Sequence, residues 1–115
     1  MTLAACKRPC ANCPWRRDAR PGEFATERYQ LLAASAQDMS VVIFTCHKSP
    51  DGGELACAGF LARGADHNFA VRMAYYRGDL ERRERDGGED LYDDYREMAE
   101  ANGVEPGDPS LRGCR

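Results

Sequence analysis

The chain has 115 residues, a net charge of −3, and 17 Leu, Ile, Val and Phe residues, about 15% of its length. This length suits a single domain, and an apolar content this low is typical of disorder only when the net charge is large. The longest run of Val, Ile, Leu and Phe, residues 41–44, is too short to cross a bilayer, so we expect no membrane association.

Residues 1–9 are predicted to form a flexible basic N-terminus, because they contain neither an apolar stretch of secretory length nor a regular pattern. The first twenty residues carry a charge of +4. Without a secretory signal the expected location is cytoplasmic. In that compartment cysteines more often bind metals or catalyse reactions than form disulfides.

The periodicity of apolar residues predicts the elements in chain order. A helix is expected over residues 24–37, a buried β-strand over 41–44, and a short helix over 55–63 that ends at Gly64. A further helix begins at the cap Asn68 and extends to residue 76 or 80. The last helix covers residues 91–102 and ends at Gly103.

The pattern predicts a small α+β fold that is mostly helical, with one or two short strands. We place the single metal-binding domain at residues 10–103 and an irregular tail, rich in Pro and Gly, at residues 104–115. Because the apolar content is low, we expect a metal centre of four cysteines to stabilise the fold. Bound zinc contributes about 10–16 kcal/mol to the folding free energy of small peptides.

Charge is distributed unevenly along the chain. Residues 79–108 contain twelve acidic side chains and four arginines, a charge of −8, whereas the N-terminal twenty residues are basic. The chain is therefore expected to have an acidic C-terminal region and a basic region near its first cysteines.

Four of the six cysteines have the spacing of a metal site. Cys10 and Cys13 are separated by two residues, so one tight turn can present both sulfurs to one ion. Cys46 and Cys57 follow after a long loop, with Cys46 at the end of the predicted strand and Cys57 near the start of a helix. We therefore predict Cys10, Cys13, Cys46 and Cys57 as the metal ligands, and the alternative is that they are reduced, buried thiols.

Two further residues could take part in the site. His47 follows Cys46 directly, and neighbouring residues of an extended segment point to opposite sides, so His47 is expected to be an outer contact or an alternative ligand. Cys6 is the better of the two spare thiols as an alternative ligand. Cys114 lies in the predicted tail and is expected to take no part.

A four-thiolate site suits either Zn²⁺ or an iron–sulfur centre such as a 4Fe-4S cluster. Zinc is the first choice. The proline that follows Cys13 and the apolar Trp15 beside it are features that clusters also favour, so both alternatives stay open.

The segment after Cys13 is a candidate binding surface. Trp15, Arg16, Arg17 and Arg20 could stack on bases and contact phosphates if they are exposed, although Trp15 could instead cover the metal site from within the core. The isoelectric point of about 5.4 argues against a strong stand-alone DNA binder. The expected partner is a nucleic acid, a protein, or both, and the oligomeric state stays open.

The cysteine motifs resemble those of a group of small uncharacterised domains in actinobacteria and their phages. The resemblance spans residues 10–103 and implies a cytosolic bacterial or phage domain in which the cysteines and the CPWR segment form one unit. A more distant similarity, to the small iron–sulfur transcription regulators of the same bacteria, is an analogy, because their central Cys-x-x-Cys and basic tail are missing here. The matching elements are Cys10-x-x-Cys13-Pro14-Trp15-Arg16, Phe44-x-Cys46-His47, Cys57-Ala58-Gly59-Phe60 and Arg72-Met73-Ala74.

The leading hypothesis is a metal-binding module with an interaction or regulatory role and without catalytic activity. One alternative is a thiol-redox or iron–sulfur sensor protein in which Cys10 and Cys13 form a dithiol pair. Another is a metal-dependent hydrolase that recruits His47, Asp51 and Glu54, although four thiolates would close the coordination sphere.

Overall fold

The computed structural model describes residues 3–22, 24–46 and 55–114. Within them lie four α-helices, namely α1 (Thr26–Leu32), α2 (Ala58–Arg63), α3 (Phe69–Arg77) and α4 (Tyr95–Ala101). Two 3-10 turns, Ala33–Ala36 and Pro109–Leu111, complete the helical content. No described helix is long and apolar enough to cross a membrane.

The helix boundaries follow the local signals in the sequence. Asn68 caps α3, since its side chain accepts a hydrogen bond from the backbone N–H of Val71 at 3.0 Å. Asp94 caps α4 in the same way through the N–H of Glu97 at 2.8 Å. The last helix is therefore shorter than predicted, because its capping residue, Asp94, lies three positions after Leu91.

The predicted buried strand at residues 41–44 is wrong. Val41 and Val42 are exposed, and only Phe44 is fully buried. Pairing instead begins one residue later, where Thr45 forms an isolated antiparallel bridge with Ala56. This isolated bridge does not extend into a continuous ladder.

Residues 3–6 pack against the domain, although the sequence predicted a flexible N-terminus. Ala5 forms a parallel bridge with Ala56, and the N–H of Cys6 donates to the carbonyl of Ala56 at 3.0 Å. Three short extended segments therefore lie side by side, with residues 55–57 between residues 4–6 and 44–46.

The core is built around Trp15, which is completely buried. Its ring makes edge contacts with Phe44 and Tyr95 at centroid distances of 5.9 and 5.8 Å. The hydroxyl of Tyr95 donates to the carbonyl of Tyr29 at 2.5 Å, which joins α4 to α1. The aromatic side chains thus supply much of the core that the small number of aliphatic residues could not.

The C-terminal segment, predicted to be irregular, contains a short ordered turn. Leu111 is fully buried within it, and Val104 is almost completely buried. Cys114 pairs through its backbone with Gln37 and is partly buried against the core. These two buried apolar side chains therefore hold in place a segment that its Pro and Gly content had predicted to be an irregular tail.

Candidate metal centre

Three cysteines are carried by the three neighbouring extended segments. Cys6 and Cys57 each follow a residue of the Ala5–Ala56 bridge, and Cys46 follows Thr45 in the second bridge. The N–H of Cys46 donates to the carbonyl of Leu55 at 2.7 Å, and that of Cys57 donates to the carbonyl of Phe44 at 2.9 Å. Because side chains alternate along extended segments, the three thiols share one face.

The first cysteine arm, which carries Cys10 and Cys13, approaches the same face of the three extended segments through a reverse turn. The N–H of Cys13 donates to the carbonyl of Cys10 at 3.1 Å, and the N–H of Arg16 donates to the carbonyl of Cys13 at 3.0 Å. The turn places the Cys13 Sγ 3.6 Å from the Cys57 Sγ, and both thiols are buried.

The thiols interact in a connected series. Cys57 contacts Cys13, Cys13 also interacts with Cys10, and Cys6 interacts electrostatically with Cys10 and by a hydrogen bond with Cys46. Five of the six cysteines therefore lie in one group, which includes all four predicted ligands. Cys6, predicted only as an alternative ligand, also belongs to this group, because residues 4–6 pair with a segment fifty residues away.

The two thiols of the closest pair differ in acidity. The hydrogen bond with Cys57 lowers the pKa of Cys13 from 9.0 to about 7, against the effect of burial, and the N–H groups of Trp15 and Gly59 add to this. The hydrogen bond to the Cys13 sulfur, together with burial, raises the pKa of Cys57. The pair therefore holds one thiolate and one thiol near neutral pH.

Burial raises the pKa of Cys6 to about 11, and its hydrogen bond to Cys46 acts in the same direction. Cys6 is thus a protonated donor to the Cys46 sulfur. Cys114 takes no part in the group, since its thiol contacts Gln37 and the carbonyls of Ala33 and Ser110.

The thiols lie in pairs and do not surround a single point. Across residues 3–22, 24–46 and 55–114, no three His, Cys, Asp or Glu side chains are close enough together to hold a metal ion as they stand. His47, Asp51 and Glu54, predicted as outer contacts or as hydrolase residues, lie outside the described residues.

Trp15 packs the segment that carries Cys10 and Cys13 against α2, the helix that follows Cys57. A Cβ atom at Gly64 would come within 2.6 Å of the Trp15 ring, and one at Gly59 would clash with the Trp15 Cβ. Only glycine permits so close an approach of the α2 backbone to the indole. Trp15 is therefore a core residue, and its predicted place on an exposed binding surface is wrong.

The basic residues beside Trp15 are largely neutralised by the acidic segment. Residues 15–17 pair with residues 90–92, because Arg16 and Leu91 form an antiparallel bridge. Arg16 forms ion pairs with Asp18 and Glu89, at 2.7 and 3.0 Å.

Arg17 meets three carboxylates, and its guanidinium also lies over the Tyr92 ring. The expected charge separation is thus cancelled where the two regions meet, and of the three arginines predicted on this surface only Arg20 forms no ion pair within the described part of the chain. The carboxylates that contact Arg17 belong to Asp90, Asp93 and Glu97.

The match of a family model decides the relationship to other proteins. The model, described as "Family of unknown function (DUF6283)", matches residues 5–115. The chain belongs to the DUF6283 family. No curated protein and no solved structure matches it. The DUF6283 match includes both cysteine arms, Cys6 and the C-terminal segment.

Proposed function

We propose that this DUF6283 domain is a thiolate metal-binding module that acts by contacting a nucleic acid or a protein. The observation that carries the metal-binding part is the close approach of the Cys13 and Cys57 sulfurs, which lie 3.6 Å apart. Two sulfurs bound to one zinc ion at about 2.3 Å, in tetrahedral geometry, would be about 3.8 Å apart.

The acidity of the thiols supports the same proposal. Metal ions bind thiolates, and Cys13 has a pKa of about 7, so it provides a thiolate at neutral pH. The proton that Cys57 retains is held mainly by the Cys13 sulfur, and a cation would displace it. Buried sulfurs with backbone N–H donors are also typical of structural metal sites.

Cys10, Cys13, Cys46 and Cys57 remain the proposed ligand set, with Cys6 as the alternative to Cys10. Cys6 owes its raised pKa chiefly to burial, which disfavours its thiolate. Cys10 belongs to the turn that presents Cys13. Binding would require the two thiol pairs to approach each other.

Zinc is the proposed ion, and an iron–sulfur cluster is the alternative. The short Cys13–Cys57 distance favours two sulfurs on one ion, whereas in a 4Fe-4S cluster each thiolate binds its own iron and the sulfurs lie farther apart. Elemental analysis and a visible absorption spectrum of protein purified without added metal distinguish them. We expect colourless protein with bound zinc, and brown protein with iron and sulfide would support the cluster.

A dithiol redox couple is the second candidate, and the unequal acidity of Cys13 and Cys57 favours it. The Cys13 thiolate would attack a disulfide of a partner protein, release one partner thiolate, and form a mixed disulfide. Cys57 would then lose its proton, attack the Cys13 sulfur and release the second partner thiol. Both sulfurs are buried, however, with 1% and 3% exposure, which opposes access by a protein disulfide.

A further inference from the structure

A large cleft lies away from the predicted binding surface. It has a volume of about 640 Å³ and lies between α2, α3 and residues 82–86. Three carboxylates, on Asp66, Glu84 and Asp86, also line it. The five arginines that line it are Arg63, Arg72, Arg82, Arg83 and Arg85.

Arg85 is the most informative residue of this cleft. It is only 5% exposed, and its guanidinium donates to two neutral carbonyls, those of Cys6 at 2.8 Å and Glu81 at 2.9 Å. Its Nε is buried without a hydrogen-bond partner, and no carboxylate of the described residues forms an ion pair with it. A buried charge without a counter-ion is costly, which indicates a site prepared for an anion.

An aromatic surface continues from the arginine cleft. A second cleft, of about 490 Å³, shares Arg72, Tyr75 and Arg82 with the first. The guanidinium of Arg82 lies 4.3 Å from the centroid of the Tyr75 ring. In the same cleft, Tyr76 is 86% exposed and Phe69 is 40% exposed. Exposed rings beside a row of arginines combine stacking with phosphate contact.

We infer that these two adjoining clefts form a binding site for single-stranded nucleic acid. Phosphates would lie along the arginines, with Arg85 at the most buried position, and unpaired bases would stack on Tyr76 and Phe69. A duplex offers no free base faces to these rings, and an acidic peptide would gain little from stacking. The inference rests on the part of the proposed function that concerns contact with a nucleic acid or a protein. It specifies the surface and the partner of that contact.

Fluorescence anisotropy with a labelled single-stranded oligonucleotide of about twelve nucleotides tests the site, at low and at moderate salt. The double variant Arg82→Glu/Arg83→Glu should weaken binding at least tenfold and make its salt dependence shallower. The matched control Arg28→Glu/Arg112→Glu, which makes the same charge change at exposed positions elsewhere, should change affinity less than threefold. Tyr76→Ala should weaken binding about fivefold, with no change in the salt dependence.

Several results would overturn the inference. They are the absence of binding at low salt, equal losses in the cleft and control variants, equal affinity for a duplex, and displacement by a mononucleotide or a polyglutamate peptide at matched charge concentration. Metal content and near-ultraviolet circular dichroism are measured on the same preparations. Wild-type protein that binds metal but no oligonucleotide would therefore reject the clefts and leave the metal proposal standing, and wild-type protein that binds the oligonucleotide but no metal would do the opposite.

Discussion

The sulfurs of Cys13 and Cys57 lie 3.6 Å apart although the residues are 44 positions apart in the chain. Trp15 and Gly59, each two residues from one of these cysteines, explain this approach, because the indole packs against the α2 backbone where no side chain intervenes. The fold therefore sets the distance between the two cysteine arms before any ligand contributes.

Replacement of either buried thiol should remove both metal and stability. We expect Cys13→Ser and Cys57→Ser to lose bound metal and most of the free energy of unfolding, because structural zinc contributes about 10–16 kcal/mol in small peptides and a domain has only about 5–15 kcal/mol in total. Cys114→Ser, outside the thiol group, should retain metal and melt within a few degrees of the wild type. Elemental analysis and thermal melting measure both quantities, and a more damaging Cys114 variant would reverse the ligand assignment.

Cys10 and Cys6 should differ in importance. Cys10→Ser should lower metal affinity more than Cys6→Ser does, because Cys10 is a proposed ligand, whereas Cys6 only contacts the sulfur of Cys46. Loss of an outer contact of this kind typically costs about 10–100-fold in affinity at most. Competition with a chromophoric chelator gives both affinities. A larger loss for Cys6→Ser would make Cys6 the fourth ligand in place of Cys10.

The metal-free protein should have a stability maximum at mildly alkaline pH. Cys13 has a folded pKa of about 7, below its ordinary value of 9.0, so stability rises as pH increases from 7 to 9, by on the order of 2 kcal/mol. The pKa of Cys57 is raised, and that of Cys6 is about 11, so stability falls again above pH 9.

Urea unfolding of chelated protein at several pH values measures this dependence. Cys13→Ser should abolish the rise between pH 7 and 9 and reduce the fall above pH 9, because the hydrogen bond with Cys13 is the main cause of the raised pKa of Cys57, whereas the raised pKa of Cys6 remains. A rise that persists in Cys13→Ser would assign it to another group.

The close contact of Trp15 with α2 predicts a strong effect of two small substitutions. Gly59→Ala and Gly64→Ala should each destabilise the domain by about 1–3 kcal/mol, since the new methyl group overlaps the buried indole. Gly107→Ala is the control, because nothing lies within 4 Å of its added methyl group. Equal unfolding midpoints for Gly59→Ala and Gly107→Ala would show that the indole can move aside at little cost.

Local signals predicted some of these features and long-range pairing decided the others. Asn68 begins a helix because its side chain caps the first turn of α3, and α2 ends where predicted, at Gly64. The cysteine spacing predicted four metal ligands, of which the structure brings Cys13 and Cys57 into direct contact. The position of Cys6, the burial of Trp15 and the neutralisation of Arg17 depend on segments that are distant in sequence, and no local pattern encodes those pairings.

The charge pattern illustrates the same limit for function. The basic segment beside Cys13 predicted an interaction surface, but Arg16 and Arg17 form ion pairs with the acidic segment. The arginines that line the large cleft lie within that acidic segment and on two helices, so their grouping emerges only in the fold. Net charge along the sequence therefore did not reveal which arginines the fold groups together.

The metal-to-protein ratio of the wild-type chain, measured beside its melting curve before and after chelation, tests the central claim most directly. We predict about one zinc ion per chain and a cooperative melt that is shifted down by tens of degrees when the metal is removed. Protein that is purified without metal and still melts cooperatively at an unchanged temperature would contradict the claim.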